Sequence, residues 1–272
     1  MPRSRLLAPP ALETALASCR LCPRSCGANR LEGETGFCRA TGRFFDDFVH
    51  FGEEEKLVPS YTVFFTGCNL RCAFCSNFEY VENPSLGRPA DPRYFRRKIT
   101  AFARRGVRNV NFLGGEPTCN LPAIAKIFSG WKSPLPIVWN SNFYFSQAAL
   151  PHVLALADIF LADFKFGNDS CARRLARAAG YLDVVTANLL AVAPLRETIV
   201  RHLLVPGHFD CCTIPVLDWL AARLPKAAVS ILASFIPPRR PGVSREIDRT
   251  VSPEEVEKAL KEARKRRLSL VS

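Results

Sequence analysis

Residues 61–77 read Tyr61-Thr62-Val63-Phe64-Phe65-Thr66-Gly67-Cys68-Asn69-Leu70-Arg71-Cys72-Ala73-Phe74-Cys75-Ser76-Asn77. The first five residues are β-branched and aromatic, which suits a buried strand. Thr66-Gly67 ends that strand, and three cysteines follow at once in C-x3-C-x2-C spacing. In an α/β fold functional groups collect beyond the C-terminal strand ends, and this loop sits at such an end.

Downstream of this stretch the pattern alternates. Asp91-Pro92 opens a helix, with Asp as N-cap and Pro at the first helical position. Tyr94, Phe95, Ile99 and Phe102 lie on one face, and Gly106 closes it. Val107–Leu113 is the next strand. Asn120 is placed to cap a helix carrying Leu121, Ile124, Ile127 and Phe128. Pro136–Trp139, Ile159–Ala162, Thr198–Val205 and Val229–Ala233 are further strands, with helices expected from Ser146 and over 169–179. Six strands alternating with helices predict a parallel sheet, open or bent into a partial barrel. Ser252-Pro253-Glu254-Glu255 predicts a last helix opened by a capping box. Residues 1–58 are read as a cysteine-rich N-terminal segment, 59–240 as the core, and 241–272 as an extension with the capped helix.

Composition narrows the class. Apolar residues make up 48% and charged residues 23% of the 272, which supports a sizeable core and excludes global disorder. No apolar run approaches the roughly 18–20 residues of a membrane span. The first residues, MPRSRLLAPPALETALASC, are broken by Pro9, Pro10 and Glu13 and do not read as a signal peptide. The expected compartment is therefore the cytoplasm. The net charge of +12 suits an acidic partner surface or RNA, although clusters such as Arg93–Lys98 and Lys258–Arg267 also read as solvated helix faces.

Eleven cysteines are many for a reducing compartment, so the clustered ones read as metal ligands. Three thiolates on one loop can each take an iron of a [4Fe–4S] cubane and leave the fourth iron open. A closed zinc site wants four ligands, which this loop does not supply. Upstream, Cys19, Cys22, Cys26 and Cys38 follow C-x2-C-x3-C-x11-C spacing. Four such thiolates can close a zinc site or hold an auxiliary cluster, or stay free; spacing does not choose. Cys119, Cys171, Cys211 and Cys212 are scattered and read as ordinary buried thiols.

The three-cysteine loop, with aromatic Phe74 before its last cysteine, resembles the signature of the radical S-adenosylmethionine superfamily. The resemblance is nearest to the pyruvate-formate-lyase-activating-enzyme-like group, which also carries a Cys-Leu-Cys-Pro-Arg-like run. It implies a partial (β/α)6 barrel and a [4Fe–4S] cluster on Cys68, Cys72 and Cys75. S-adenosylmethionine would chelate the open iron and be split reductively to a 5′-deoxyadenosyl radical that abstracts hydrogen. Gly114-Gly115-Glu116-Pro117 resembles the family's GGEP motif, which binds the amino group of S-adenosylmethionine. Asp163-Phe164-Lys165 resembles a D-x-K motif, with Lys165 placed for the carboxylate. Phe74, Ser76, Asn140 and His202 complete the implied cofactor contacts. His202 is equally well read as a satisfied core histidine. Asn140-Ser141-Asn142-Phe143 departs from the family's Asp-Thr-Asn-Gly-like stretch, which puts a cation site there in doubt.

The implied activity is activation of a glycyl radical enzyme or modification of another protein, with flavodoxin or ferredoxin as electron donor. The same chemistry acting on RNA or a small molecule is the second reading. A non-enzymatic, zinc-stabilised binding protein is the third.

Overall fold

The computed structural model describes residues 9–238 and 245–271. Residues 1–8, which open the N-terminal stretch, and residues 241–244 and 272 of the expected extension lie outside the described residues. The chain divides into two compact units, one of Met1–Asn69 with Asn77–Phe160, the other of Leu70–Ser76 with Leu161–Ser272.

The first unit holds α1 (Pro9–Ala17), β1 (Arg43–His50), β2 (Ser60–Phe65), α2 (Phe78–Glu82), β3 (Arg88–Pro89), α3 (Pro92–Ala103), β4 (Asn109–Gly114), α4 (Leu121–Phe128), β5 (Ile137–Ser141) and α5 (Leu150–Leu156). Its strands lie in the order β3-β1-β2-β4-β5. β2, β4 and β5 pair in parallel, with Tyr61 beside Val110 and Val110 beside Ile137. These strands are apolar on both faces, as a helix-covered parallel sheet requires: Tyr61, Val63, Phe65, Val110, Phe112, Ile137 and Trp139 are fully buried. β1 runs antiparallel to β2 and exposes part of one side. Its pairing is irregular between Phe44 and Asp46, so its alternation is broken in the sequence and it went unread as a strand.

β6 (Ile159–Asp163) spans the division. The second unit continues with α6 (Asp169–Ala176), α7 (Tyr181–Val192), β7 (Glu197–Leu203), α8 (Ile214–Arg223), β8 (Ala228–Leu232), α9 (Pro253–Lys265) and β9 (Ser269–Leu270). Its strand order is β6-β7-β8-β9, with β7, β8 and β9 parallel. The six expected strands are present as β2, β4, β5, β6, β7 and β8. The fold is the open, mostly parallel α/β class.

Local signals behaved as read at α3, where the Asp91 carboxylate accepts from Arg93 N at 2.9 Å and Phe95 and Ile99 face the core. They also held at α9, where Ser252 and Glu255 form the capping box. Two expectations failed. Asn120 precedes α4 but its side chain does not cap it; Nδ2 donates to Thr66 O (2.8 Å) and Glu116 O (3.2 Å), while Oδ1 accepts from Gly42 N. Ser146 starts no helix: its hydroxyl donates to Arg20 O and α5 begins at Leu150. In both cases a long-range carbonyl outcompeted the local cap.

The basic α3 patch is only partly solvated. Arg96 donates to Ile127 O (2.7 Å) and Ser129 O (2.6 Å), closing the end of α4. Lys98 pairs with the buried Asp47 carboxylate at 3.0 Å. Part of the +12 charge therefore has internal partners.

Candidate active site

In the first unit β2 ends at a turn with no room for a side chain. Gly67 has φ +74°, and a Cβ there would meet Cys38 O at 2.7 Å. Gly67 N donates to Tyr80 O and Cys68 N to Cys38 O, each near 3.0 Å, so the start of the cysteine loop is tied to the N-terminal segment. Cys68 is buried, with Asn142 Nδ2 3.6 Å from its sulfur. The same amide donates to Asn69 Oδ1 at 2.8 Å. Asn69 in turn donates to Tyr144 O and its carbonyl accepts from Arg24 Nε.

The Gly114-Gly115-Glu116-Pro117 turn lies at the end of β4. Gly115 N donates to Phe65 O at 2.7 Å, and a Cβ on Gly115 would lie 1.9 Å from Gly67 O. The glycine is thus demanded by the chain's own packing. Glu116 is buried, and its carboxylate accepts from Ser141 Oγ (2.8 Å), Asn142 N (2.9 Å) and Thr118 N (3.0 Å). Burial pushes this carboxyl up, against the pull of those donors. Its visible work is to clamp the end of β5 to the end of β4. Asn142, a residue the sequence reading did not assign, is thereby aimed at Cys68. Asn140 is buried beside it. Asn111, within β4, carries a buried Oδ1 with no hydrogen-bond partner among the described residues, an acceptor that a bound polar group can use.

Cys19, Cys22, Cys26 and Cys38 line one small cavity with Arg24, Arg30 and Cys119. The first turn is closed by Cys19 N to Ala28 O and Gly27 N to Cys19 O. Cys38 and Cys119 pack together with Ala40. Cys119, read as a scattered thiol, thus joins this group. Burial pushes the Cys22 thiol up to about 12, so without a metal it stays protonated.

In the second unit the loop residues 70–76 hang from the end of α6. Arg71 N donates to Ala176 O (3.0 Å) and Ala73 N to Leu175 O (2.8 Å). Cys75 N closes a turn on Cys72 O. Phe74 is buried against the rings of Phe166 and Phe235, which locks the loop while Cys72 and Cys75 stay partly exposed and Ser76 exposed. Burial pushes the Cys72 thiol up to about 12, with the Lys165 ammonium pulling the other way.

Asp163 and Lys165 form an ion pair at 2.6 Å, largely buried and shared with a third group. Arg201 Nε reaches the other Asp163 oxygen at 2.7 Å, and all three side chains are no more than 16% exposed. Burial would raise the Asp163 carboxyl, but Arg201 and Lys165 overcome it and hold the group at about 2.

Both ring nitrogens of His202 have protein partners, as a satisfied core histidine requires. Its Nδ1 lies 2.8 Å from Phe164 O and Nε2 3.0 Å from Thr213 Oγ1, so a neutral ring donates at one nitrogen and accepts at the other. Burial depresses it from 6.5 to about 4. A histidine depressed on folding leaves stability intact above its unfolded value and erodes it as pH falls from 6.5 toward 4. The full loss is about 3 kcal/mol. Urea titrations from pH 7 to 4.5 should show this slope in the wild type and a shallower one in His202→Gln. Equal slopes would refute the assignment.

An open α/β fold with a thiolate loop beyond its first parallel strand defines a class of cofactor-dependent enzyme. Residues 62–220 match the Radical SAM superfamily, and the chain belongs to that superfamily. The Methanocaldococcus jannaschii protein described as "Uncharacterized protein MJ0674" is 38% identical over 261 residues, covering 93% of this chain and 76% of that protein. Among solved structures, methylornithine synthase (PylB) aligns with TM-score 0.56 at 14% identity, over 78% of this chain and 63% of PylB. Streptococcus suis SuiB bound to the precursor peptide SuiA aligns with TM-score 0.52 at 13% identity, over 76% of this chain and 46% of SuiB. The chain thus spans less than two thirds of either, and at such identities the likeness shows the fold. The cofactors of the superfamily, a [4Fe–4S] cluster and S-adenosylmethionine, are those of this chain. Among the described residues no single helix is long and apolar enough to cross a membrane.

Proposed function

We propose that Cys68, Cys72 and Cys75 hold the cluster and that this chain is a radical S-adenosylmethionine enzyme acting on a protein, as a glycyl-radical-enzyme activator or a related modifying enzyme. The observation that carries the reading is C-x3-C-x2-C at the end of β2, within the matched residues 62–220. The residues fit the group: three thiols with no fourth ligand on the loop, whose backbone is anchored by α6 and by Cys38 O. When bound, the reduced cluster supplies one electron that splits S-adenosylmethionine into methionine and the 5′-deoxyadenosyl radical, which takes hydrogen from the substrate.

The chain's own residues position these parts. Asn142 steadies the Cys68 sulfur, and Lys165 favours the thiolate at Cys72. On this reading Lys165 would meet the carboxylate of S-adenosylmethionine and the Gly114-Gly115 backbone its ammonium, and Phe74, Ser76 and Asn140 are the further contacts that the family resemblance implies. Asp163 orients Lys165. A protein partner is supported by the positive surface, for which flavodoxin or ferredoxin, both acidic electron donors, are also suited. The N-terminal cysteines, on this reading, staple their segment through a structural metal.

Anaerobic reconstitution with iron and sulfide, followed by dithionite and S-adenosylmethionine, should yield 5′-deoxyadenosine. Replacing Cys68, Cys72 and Cys75 by Ala should remove about four irons per chain and all of that product. Product formation by the triple variant would overturn the assignment.

A further inference from the structure

The second unit contains a four-donor cluster that the cofactor chemistry does not use. Cys171 sits at the start of α6; His208, Cys211 and Cys212 sit in the turn between β7 and α8, a segment wound as one π-helical turn over Phe209–Thr213. Their donor atoms all lie within 4.8 Å of one another. His208 Nδ1 is 3.4 Å from Cys171 Sγ, 3.3 Å from Cys211 Sγ and 3.9 Å from Cys212 Sγ, and Cys171 Sγ is 3.8 Å from Cys211 Sγ. One ring nitrogen offers at most one N–H, so a hydrogen bond accounts for one of its three sulfur contacts. Convergence of all four on one point calls for something at that point.

We propose that Cys171, His208, Cys211 and Cys212 bind a single zinc ion. With Zn–S near 2.3 Å and Zn–N near 2.0 Å, a tetrahedral site has S···S edges of about 3.8 Å and N···S edges of about 3.5 Å. The four spacings above lie within about 0.4 Å of those edges, and the remaining donor atoms are within 4.8 Å of one another. A cubane is excluded by the same numbers, because it holds its thiolates on separate irons and needs them much farther apart. Four protein ligands close the site, which makes it structural rather than catalytic.

The surroundings suit thiolate ligands. Asn168 Nδ2 lies 3.2 Å from Cys171 Sγ and 3.9 Å from Cys212 Sγ, while its Oδ1 accepts from Cys171 N at 2.7 Å. The other ring nitrogen of His208 lies 3.2 Å from Arg174 Nη2 and 3.7 Å from the Glu246 carboxylate, which Arg174 also binds at 2.8 Å. At 3.7 Å the carboxylate is beyond hydrogen-bond reach of the ring, so Arg174 and Glu246 act on the site through charge, and the guanidinium offsets the net negative charge of three thiolates and one Zn²⁺. Gly167 lets the two segments close, since a Cβ there would lie 2.5 Å from Cys212 O.

The ion would have a definite mechanical role. It pins α6 to the β7–α8 turn, and α6 is the helix whose Leu175 and Ala176 carbonyls hold Ala73 and Arg71, on either side of Cys72. Zinc would therefore brace the cysteine loop from behind without touching it.

Thiol mapping tests this on the intact wild-type chain. Cys211 is exposed and should react quickly with iodoacetamide if free. The expected result is that it resists labelling in native protein, and that a zinc chelator raises its labelling rate by more than about tenfold with release of zinc. Wild-type zinc should also exceed that of His208→Asn by one per chain, whatever the N-terminal cysteines hold. Rapid labelling of native Cys211, protection indifferent to chelator, a Cys171–Cys211 disulfide, or equal zinc in both proteins would each overturn the site. None of these readouts depends on cleavage of S-adenosylmethionine.

Discussion

Gly115→Ala is expected to cost the protein about 4 kcal/mol or more, and with it the ability to take up iron at the cysteine loop. A single methyl group at this position would stand 1.9 Å from Gly67 O and 2.7 Å from Gly67 C. Overpacking against flexible side chains costs about 1–3 kcal/mol, and here the obstacle is backbone with little freedom to yield. Gly67 is held by Tyr80 O, and Cys68 next to it by Cys38 O. Any shift that relieves the clash displaces Cys68 or the β4 turn. Gly130→Ala is the matched control, since that glycine has φ +64° but no atom within 4 Å of an added Cβ. Its cost should stay near 1 kcal/mol. Thermal melting should separate the two by roughly 5 °C or more for a chain of this size. Iron counting after reconstitution should show a large loss for Gly115→Ala alone. Coincident melting curves would mean that the turn has slack the geometry does not show.

The parts of the fold that were legible in the sequence are those written locally. β2, β4 and β5 announce themselves as apolar runs ended by turns, and α9 by its capping box. α7 and α8 went unread, although both bury much of their surface, with Tyr181, Val185, Leu189 and Val192 inward on α7 and Val216, Leu217 and Leu220 on α8. Their polar residues are few, so the contrast that marks an amphipathic helix is weak. The site divides the same way. The three-cysteine loop is local and could be quoted from sequence. The Glu116–Ser141–Asn142–Cys68 relay joins residues 25 to 74 positions apart, and no spacing announces it. Cys119 packing on Cys38 is equally non-local. His208-x2-Cys211-Cys212 was the one readable sign of the cluster in the second unit, and its partner Cys171 lies 37 residues before the histidine. Cys171, Cys211 and Cys212, expected to be scattered, converge with His208, and sequence separation hides that convergence.

The largest electrostatic effect is expected at Asp163. Asp163→Asn keeps the shape and removes the charge, leaving Lys165 and Arg201 without the carboxylate that both bind within 2.7 Å. Breaking a largely buried pair by deleting one partner costs about 3–5 kcal/mol, because the remaining cations stay desolvated. The wild-type contribution has a defined pH window. The carboxyl is held at about 2 against an ordinary 3.8, so its share of stability is complete above 3.8 and is lost as pH falls toward 2. At neutral pH the variant should lower the urea midpoint sharply. Adding Arg201→Gln should cost less than a second independent deletion, since one stranded cation is removed with its partner gone. A single-variant loss below about 1 kcal/mol would return the pair to the ordinary surface class. The same variants separate scaffold from cofactor contact. Lys165→Met leaves Asp163 its bond to Arg201 and should therefore fold nearly as well as the wild type. If it also binds S-adenosylmethionine with unchanged affinity, the ammonium serves the protein's own carboxylate and nothing else; a loss of about tenfold or more places it on the cofactor.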